Sequence, residues 1–554
     1  MRKNELVQLQ IEDMSDEGLG IGHADGMALF VKDTVIGDTV RAKIVKVKKN
    51  YAFARVEEVL EPSADRTDPL CPVARACGGC QIQEMDYAAQ LRMKEQKVRG
   101  NLIRIGGFHP DEDLDEETFL PIVGMEEPWK YRNKAQFPIG TGRDGKPVAG
   151  FYAGRTHSII DNHRCVIGID ENEYVLEAVM EWMRSCHVSA YDESAGSGVI
   201  RHVMTRAGFA TGQLMVVIVA AADRLPAEDL LVEALQRAAD RGRYTLASVV
   251  LNCNRGRTNV ILGNCGRVLY GSDSIEDRIG DLTYKISSRS FYQVNPAQTR
   301  VLYETALKYA GLTGKETVWD LYCGTGTISL FLARKAGRVI GVEVIPEAIE
   351  NAKENAARNH IDNCRFIVGK AEDVVDSLEP ADVIVVDPPR KGLDRVVVDT
   401  ILRSAPSRIV YVSCDSATLA RDLRLLDAGG YRLMKVQPVD MFPHTVHVET
   451  CVLLVRESIS DDEMVSIKVD LDGIALDQGR YVPPEKPTYK NIKQWISDKY
   501  GFNVSTLYIA QIKDKVGMEK RKNYNPGSGE GRVPVCPPEK EEAIMDAFRH
   551  FDLI

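Results

Sequence analysis

Along residues 4–60 apolar and polar positions alternate in short runs, Val7-Gln8-Leu9-Gln10-Ile11, then Val40 to Val47 and Ala52 to Val59, interrupted by Gly18, Gly20, Gly22, Gly26 and Gly37. A period of two sends alternate side chains to one face of a strand, so this stretch predicts a small β-barrel. Residues 62–84 lose the periodicity and become rich in Pro and Cys, as expected of a loop stapled by a metal. Tyr87, Leu91, Val98 and Leu102 then fall at helical spacing, ahead of an acidic loop around Asp113. From about Pro121 to Tyr284 the pattern is mixed, with strand-like runs such as Leu214 to Ala221 and Ala247 to Asn252.

Between Tyr284 and Arg456 strands alternate with helical segments. The β-rich runs are Val318 to Tyr322, Arg338 to Val342, Arg365 to Val368, Asp382 to Val386 and Arg408 to Ser413. This alternation predicts a doubly wound parallel sheet that binds its ligands at the carboxyl ends of the strands. No internal repeat is visible. The reading is a multidomain α/β chain: 1–61, a small OB-like β-barrel; 62–284, a central α+β domain; 285–458, the Rossmann-like domain; and 459–554, an acidic linker with a small helical extension. A helix near 86–104 can pack against the Rossmann-like domain.

Composition narrows this only by exclusion. With 44% hydrophobic and 27% charged residues the chain is an ordinary globular protein. No stretch approaches the roughly 18 consecutive apolar residues of a membrane span, and Met1 to Ser15 lack the apolar core of a secretory leader. The expectation is a cytoplasmic protein with no membrane contact. A net charge of −10 is unfavourable for nucleic-acid binding, but the charge is uneven. Arg41, Lys43, Lys46, Lys48 and Lys49 lie in one run without an acid, and Lys486 to Lys522 holds nine Lys or Arg against three acids. The negative surplus sits in Asp111 to Glu117 and Asp461 to Asp472. Twelve cysteines without a secretion signal point to metal binding and catalysis before disulfides.

Candidate chemistry begins at Val318 to Thr327, an apolar strand entering the turn Tyr322-Cys323-Gly324-Thr325-Gly326. Gly324 and Gly326 let the backbone approach a ligand. About twenty residues on, Glu343 ends a second strand, placed to accept hydrogen bonds from ribose hydroxyls. The third glycine of a dinucleotide fingerprint is missing, which favours an adenosyl cofactor over NAD. Gly369 to Asp373, after a third strand, reads either as an adenine border or as a plain helix N-terminus. Asp387, in Asp387-Pro388-Pro389-Arg390, ends the fourth strand; Cys414, in Ser413-Cys414-Asp415, ends the fifth. Phe442 to Glu449 brings an acid to the start of a later strand. Carbon 5 of uracil is too weak a nucleophile to take a methyl from a sulfonium. A thiolate added at carbon 6 makes it reactive, and a base must then remove the carbon 5 proton.

Ser290 to Asn295, Asp320 to Thr327, Asp387 to Arg390, Ser413-Cys414 with Ala417 to Asp422, and Phe442 to Glu449 together closely resemble the RNA (uracil-5)-methyltransferase family. The resemblance implies a class I S-adenosylmethionine (SAM) methyltransferase domain in which Gln293, Tyr322, Glu343 and Asp387, beside Gly324, contact the donor. It implies Cys414 as nucleophile and Glu449 as base, and it assigns Cys323 to the cofactor loop. The first 60 residues resemble the TRAM domain, an RNA-binding barrel.

Cys71, Cys77 and Cys80 form C-x5-C-x2-C, and Cys165 lies 85 positions further on. Four thiolates suit zinc or an iron–sulfur cluster. The ribosomal-RNA branch of the family looks like this and carries a [4Fe–4S] cluster, so the resemblance favours iron–sulfur and a 23S ribosomal RNA substrate over transfer RNA. No protein partner is implied, and a monomer is expected. In the last segment Tyr489, Ile492, Trp495 and Ile496 form one helical face, Gly501 fits a helix stop, and Ser505 or Thr506 can cap a second helix through Leu507, Ile512 and Val516. Followed by Lys520-Arg521-Lys522, this reads equally as a helix-turn-helix-like RNA contact and as a small appendage.

Overall fold

The computed structural model describes the chain except residues 155, 375–377, 458–488, 501, 503, 505, 516–535 and 552–554. It divides into two compact units, Met1–Ile467 and Lys468–Ile554.

The first unit opens with six strands, β1 (Leu6–Gln10), β2 (Asp13–Met14), β3 (Gly20–Ala24), β4 (Met27–Lys32), β5 (Thr39–Val47) and β6 (Tyr51–Glu61), in the order β1-β5-β6-β4-β3-β2. The alternation works as expected in β5: Val40, Ala42 and Ile44 are buried while Arg41 and Lys46 face solvent. The buried Asp38 carboxylate, taken by the Arg66 guanidinium at 2.5 Å, fastens this sheet to the loop that follows.

Helix α1 (Tyr87–Asn101) starts on Asp86, whose carboxylate accepts from the Ala89 amide at 3.0 Å. It runs on into a wide turn, Leu102–Gly106, stopped by left-handed Gly107. Val98, Leu102, Phe108, Leu114 and Phe119 join one apolar cluster with Trp319, Ile340 and Ile384. Residues 87–119 therefore cover a face of the Rossmann-like sheet.

The central sheet has seven strands, β7 (Lys134–Thr141), β8 (Pro147–Tyr152), β9 (Ile159–Asp161), β10 (Ile200–Gly208), β11 (Gln213–Ala220), β12 (Thr245–Cys253) and β13 (Cys265–Gly271), ordered β13-β12-β11-β10-β7-β8-β9. Helices α2 (Glu171–Ser185) and α3 (Glu228–Ala239) cover it, and α3 makes the crossover between the parallel strands β11 and β12. A hairpin, β14 (Ser274–Ile279) and β15 (Leu282–Ser287), leads onward.

The Rossmann-like part runs α4 (Pro296–Ala310), β16 (Thr317–Leu321), α5 (Thr327–Ala333), β17 (Arg338–Glu343), α6 (Pro346–Arg358), β18 (Cys364–Val368), α7 (Ala371–Val374), β19 (Val383–Val386), α8 (Arg395–Ser404), β20 (Arg408–Ser413), α9 (Ser416–Ala428), β21 (Tyr431–Val439) and β22 (Glu449–Arg456). Its order is β18-β17-β16-β19-β20-β22-β21. The first five strands are parallel, but β22 runs antiparallel to both β20 and β21, so the sheet is mixed where a purely parallel one was expected. The nine residues between β21 and β22 are a loop, too short for the crossover a parallel return requires. Between β16 and β19 the strand order reverses, which opens a crevice at their carboxyl ends.

The second unit holds α10 (Tyr489–Tyr500), α11 (Thr506–Lys515) and α12 (Pro538–His550) around Ile492, Ile496, Ile509, Ile512, Ile544 and Phe548. Two helices were expected and α12 was not. Gly501, Ser505, Val516 and the Lys520-Arg521-Lys522 run lie outside the described residues.

Candidate active site

The turn after β16 is built from left-handed residues, Tyr322 (φ +72°), Gly324 (φ +53°) and Gly326 (φ +79°). A Cβ on Gly326 would stand 3.0 Å from that of Ala352, whereas one on Gly324 would meet nothing within 4 Å, so the second position faces open cleft. Glu343, at the end of β17, accepts from the Gly324 amide at 3.3 Å and the Ile345 amide at 3.0 Å. Gly369 donates to the Glu343 carbonyl at 3.0 Å, which sets the head of the short helix α7 beside the same turn. Below it Asp320 is wholly buried. Ser329 donates to one of its oxygens at 2.5 Å, and the other has no partner among the described residues. Burial, with the Asp387 and Glu343 charges, pushes Asp320 up to about 7. Gln293 is half-buried, and its carbonyl accepts from the Asn133 side chain at 2.9 Å. Asn295 then caps α4.

On the other side of the crevice Cys414 sits between β20 and α9. Asp415 caps α9, accepting from the Ala417 and Thr418 amides at 3.0 Å each. The half-buried Cys414 thiol is pushed up to about 11 by burial and by the charges of Glu449 and Asp387, with Arg390 opposing. Glu449, the first residue of β22, is buried; burial and the Asp387 charge push it up to about 8, again against Arg390. Asp387, partly open at the tip of β19 but surrounded by protein atoms, is pushed up to about 7 by burial. Cys414, Glu449, Asp387 and Arg390 thus share one electrostatic neighbourhood. By contrast Cys323 is buried against Phe366 and Gly341, and its thiol is driven far up by burial.

Beside Cys414 is a cavity of about 170 Å³, lined also by Asp16, Lys97, Asn101, Arg390 and His447. Lys97 pairs with Asp16 at 2.9 Å and donates to the Val446 carbonyl at 3.2 Å. Asn101 donates to Ser416 Oγ at 2.8 Å. Asp16, from the turn between β2 and β3, and the two α1 residues carry no motif, and sequence reasoning missed them. His447 lies inside the run Phe442 to Glu449; burial holds its imidazole down to about 4, hence neutral.

Cys71, Cys77, Cys80 and Cys165 all line a second cavity, of about 320 Å³. Cys165 arrives from the loop between β9 and α2. Burial raises the Cys77 and Cys165 thiols, and Cys80 to about 12, and the other thiols add to each shift. Among the described residues no three His, Cys, Asp or Glu side chains are grouped tightly enough to hold one metal ion. A lone zinc would need its four sulfurs about 3.8 Å apart, from a Zn–S bond of about 2.3 Å. A cubane keeps its thiolates further apart, and the all-thiol donor set fits its chemistry.

Comparison with known proteins agrees with this geometry. The profile of the tRNA (Uracil-5-)-methyltransferase family matches residues 266–457, and that of the TRAM domain matches residues 2–56. An uncharacterised RNA methyltransferase of Halalkalibacterium halodurans is 49% identical over 458 residues, covering 82% of this chain and 98% of its own. One from Clostridium tetani is 46% identical over 458 residues, 82% of this chain and 97% of its own. Among solved structures, the tRNA (uracil-54, C5)-methyltransferase of Pyrococcus abyssi, in complex with S-adenosyl-L-homocysteine, is 27% identical with a TM-score of 0.66 over 81% of this chain and 100% of that one. Fold, glycine turn and relatives together define a SAM-dependent RNA methyltransferase. More narrowly, the chain belongs to the RNA (uracil-5-)-methyltransferase family. No helix among the described residues is long and apolar enough to cross a membrane.

Proposed function

We propose that this enzyme methylates carbon 5 of a uridine in 23S ribosomal RNA, with Cys414 as nucleophile and Glu449 as base. The observation that carries the reading is the half-buried thiol lining a cavity, within the electrostatic reach of Glu449, Asp387 and Arg390. Cys414 loses its proton to solvent, the thiolate Sγ bonds to carbon 6 of the ring, and the carbon 5–carbon 6 electron pair is pushed into the enolate. The donor supplies an electrophilic methyl group when bound. Glu449 then takes the proton from the methylated carbon 5, the ring double bond re-forms, and the Sγ–carbon 6 bond breaks. Gln293, Tyr322, Gly324, Glu343 and Asp387 hold the donor. Cys71, Cys77, Cys80 and Cys165 would hold a [4Fe–4S] cluster, which would supply a rigid cross-link there.

The ribosomal substrate is favoured by the pairing of an N-terminal TRAM domain with four clustered thiols. A transfer-RNA substrate is the second reading, supported by the likeness to the Pyrococcus abyssi enzyme. Incubating the protein with tritiated donor and each RNA separates them: label in 23S RNA alone is expected, and label in transfer RNA alone overturns the assignment. Cys414→Ala should abolish both turnover and covalent capture of 5-fluorouridine RNA.

A further inference from the structure

We propose that Gln90 and His444 are positioning residues for Glu449, and that the four-cysteine loop belongs to the same brace. The inference rests on the reading of Glu449 as the base.

Glu449 is delivered by the loop between β21 and β22, and that loop turns at His444, a buried non-glycine residue at φ +67°. Such a conformation persists only where its surroundings hold it. Here they hold it from several sides. Gln90, wholly buried in α1, accepts from the His444 amide at 2.9 Å and donates to its Nδ1 at 3.1 Å, while also donating to the Met85 carbonyl at 2.8 Å. The Trp129 ring stacks on the imidazole with centroids 3.7 Å apart. Next in the loop, Lys94 donates to the Phe442 carbonyl at 3.0 Å and Tyr131 to that of Pro443 at 3.0 Å.

The His444 carbonyl accepts from the Gln81 and Ile82 amides, at 3.1 and 3.3 Å. Those two residues directly follow Cys80, one of the four thiols around the larger cavity. A single peptide therefore joins the thiol loop to the loop that aims the base. None of these groups touches the cavity beside Cys414, so slackening the brace displaces Glu449 and leaves the nucleophile in place. Addition of the thiolate survives and elimination slows, a pattern that general destabilisation does not produce.

The test uses the full-length protein. Gln90→Leu removes both bonds to His444 at similar volume, His444→Ala removes the ring from a left-handed site, and His444→Asn keeps an amide and tolerates that conformation. With donor and RNA, Gln90→Leu and His444→Ala should accumulate a covalent protein–RNA band on a denaturing gel. Their kcat should fall about tenfold or more, because small displacements of a reacting group cost that much, with KM for RNA falling alongside it, since the adduct accumulates ahead of the slowed step. His444→Asn, which tolerates the left-handed conformation but lacks the ring, should recover part of the kcat lost in His444→Ala. Glu449→Gln runs alongside. If it accumulates the band and both brace variants do not, positioning is refuted and the base assignment stands; if Glu449→Gln itself fails to accumulate it, the base assignment falls and the brace with it. For the thiol loop, amide exchange of residues 442–449 should quicken in Cys80→Ser, and unchanged exchange would refute that link.

Discussion

The step that most directly exposes the proposed base is breakdown of the covalent adduct as a function of pH. Burial and the Asp387 charge push Glu449 up to about 8. A carboxyl acts as a base only when ionised, and raising its pKa keeps it protonated below that value. With a pKa of about 8, roughly 1% is ionised at pH 6, 10% at pH 7, half at pH 8 and 90% at pH 9. The decay constant should therefore rise about tenfold from pH 6 to 7, bend near 8 and level off above 9. Cys414 does not confuse this profile, although its thiol is also raised, because in the adduct the sulfur is a thioether with no proton to lose. The assay forms methylated adduct at pH 6, jumps the pH, quenches into detergent and follows the RNA-linked band. Glu449→Gln should decay at least about a hundredfold more slowly, with no slope. A wild-type profile flat from pH 6 to 9, or a Gln variant with wild-type slope, refutes the argument.

The cationic donor should bind more tightly as pH rises through about 7, where Asp320 and Asp387 ionise; calorimetry should show this for the sulfonium and a weaker trend for its neutral thioether product. Lys94→Met leaves Asp440 buried without the cation it meets at 2.5 Å, both side chains being fully enclosed. It should cost about 3–5 kcal/mol in denaturant unfolding, much of it recovered when Asp440→Leu is added. Cutting the chain after Ile467 should leave methyl transfer within about twofold, a change of about 0.4 kcal/mol, because both family matches end before it. Large loss of activity in the truncated protein would show that the last helices serve the reaction.

Much of the fold was legible because local patterns carry it. Alternation in Val40 to Ile44 and the uninterrupted apolar run Val383–Val386 announce a half-exposed and a fully buried strand, and the structure has both. The positions of Cys414, Asp387 and Glu449 at strand ends followed from the same patterns. The helix Pro538–His550 was missed because seven of its residues are charged or His and its apolar stripe is thin. Its signal was nevertheless present: Pro at the first turn with Glu539 and Glu541, then Arg549 and His550 at the end. The antiparallel return of β22 was hidden in the loop length. The partners Gln90–His444 and Lys94–Asp440 are separated by 354 and 346 positions, and no local period links residues so far apart.

Those long-range contacts bear on a conflict within the proposed chemistry. The reaction asks for a thiolate first and a carboxylate second, and each negative charge opposes the other across a poorly solvated cleft. Burial and Asp387 keep Glu449 protonated near neutral pH, which spares Cys414 one of the two charges that raise its thiol. Arg390 is the cation the chain itself supplies to both groups. Once sulfur is bonded to carbon the thiolate charge is gone, and ionising Glu449 no longer places two anions together. A base held rigidly by its loop, with its pKa near the working pH, can wait for that moment. Fixing Glu449 in a buried place therefore serves the elimination step, which is where a slackened brace shows.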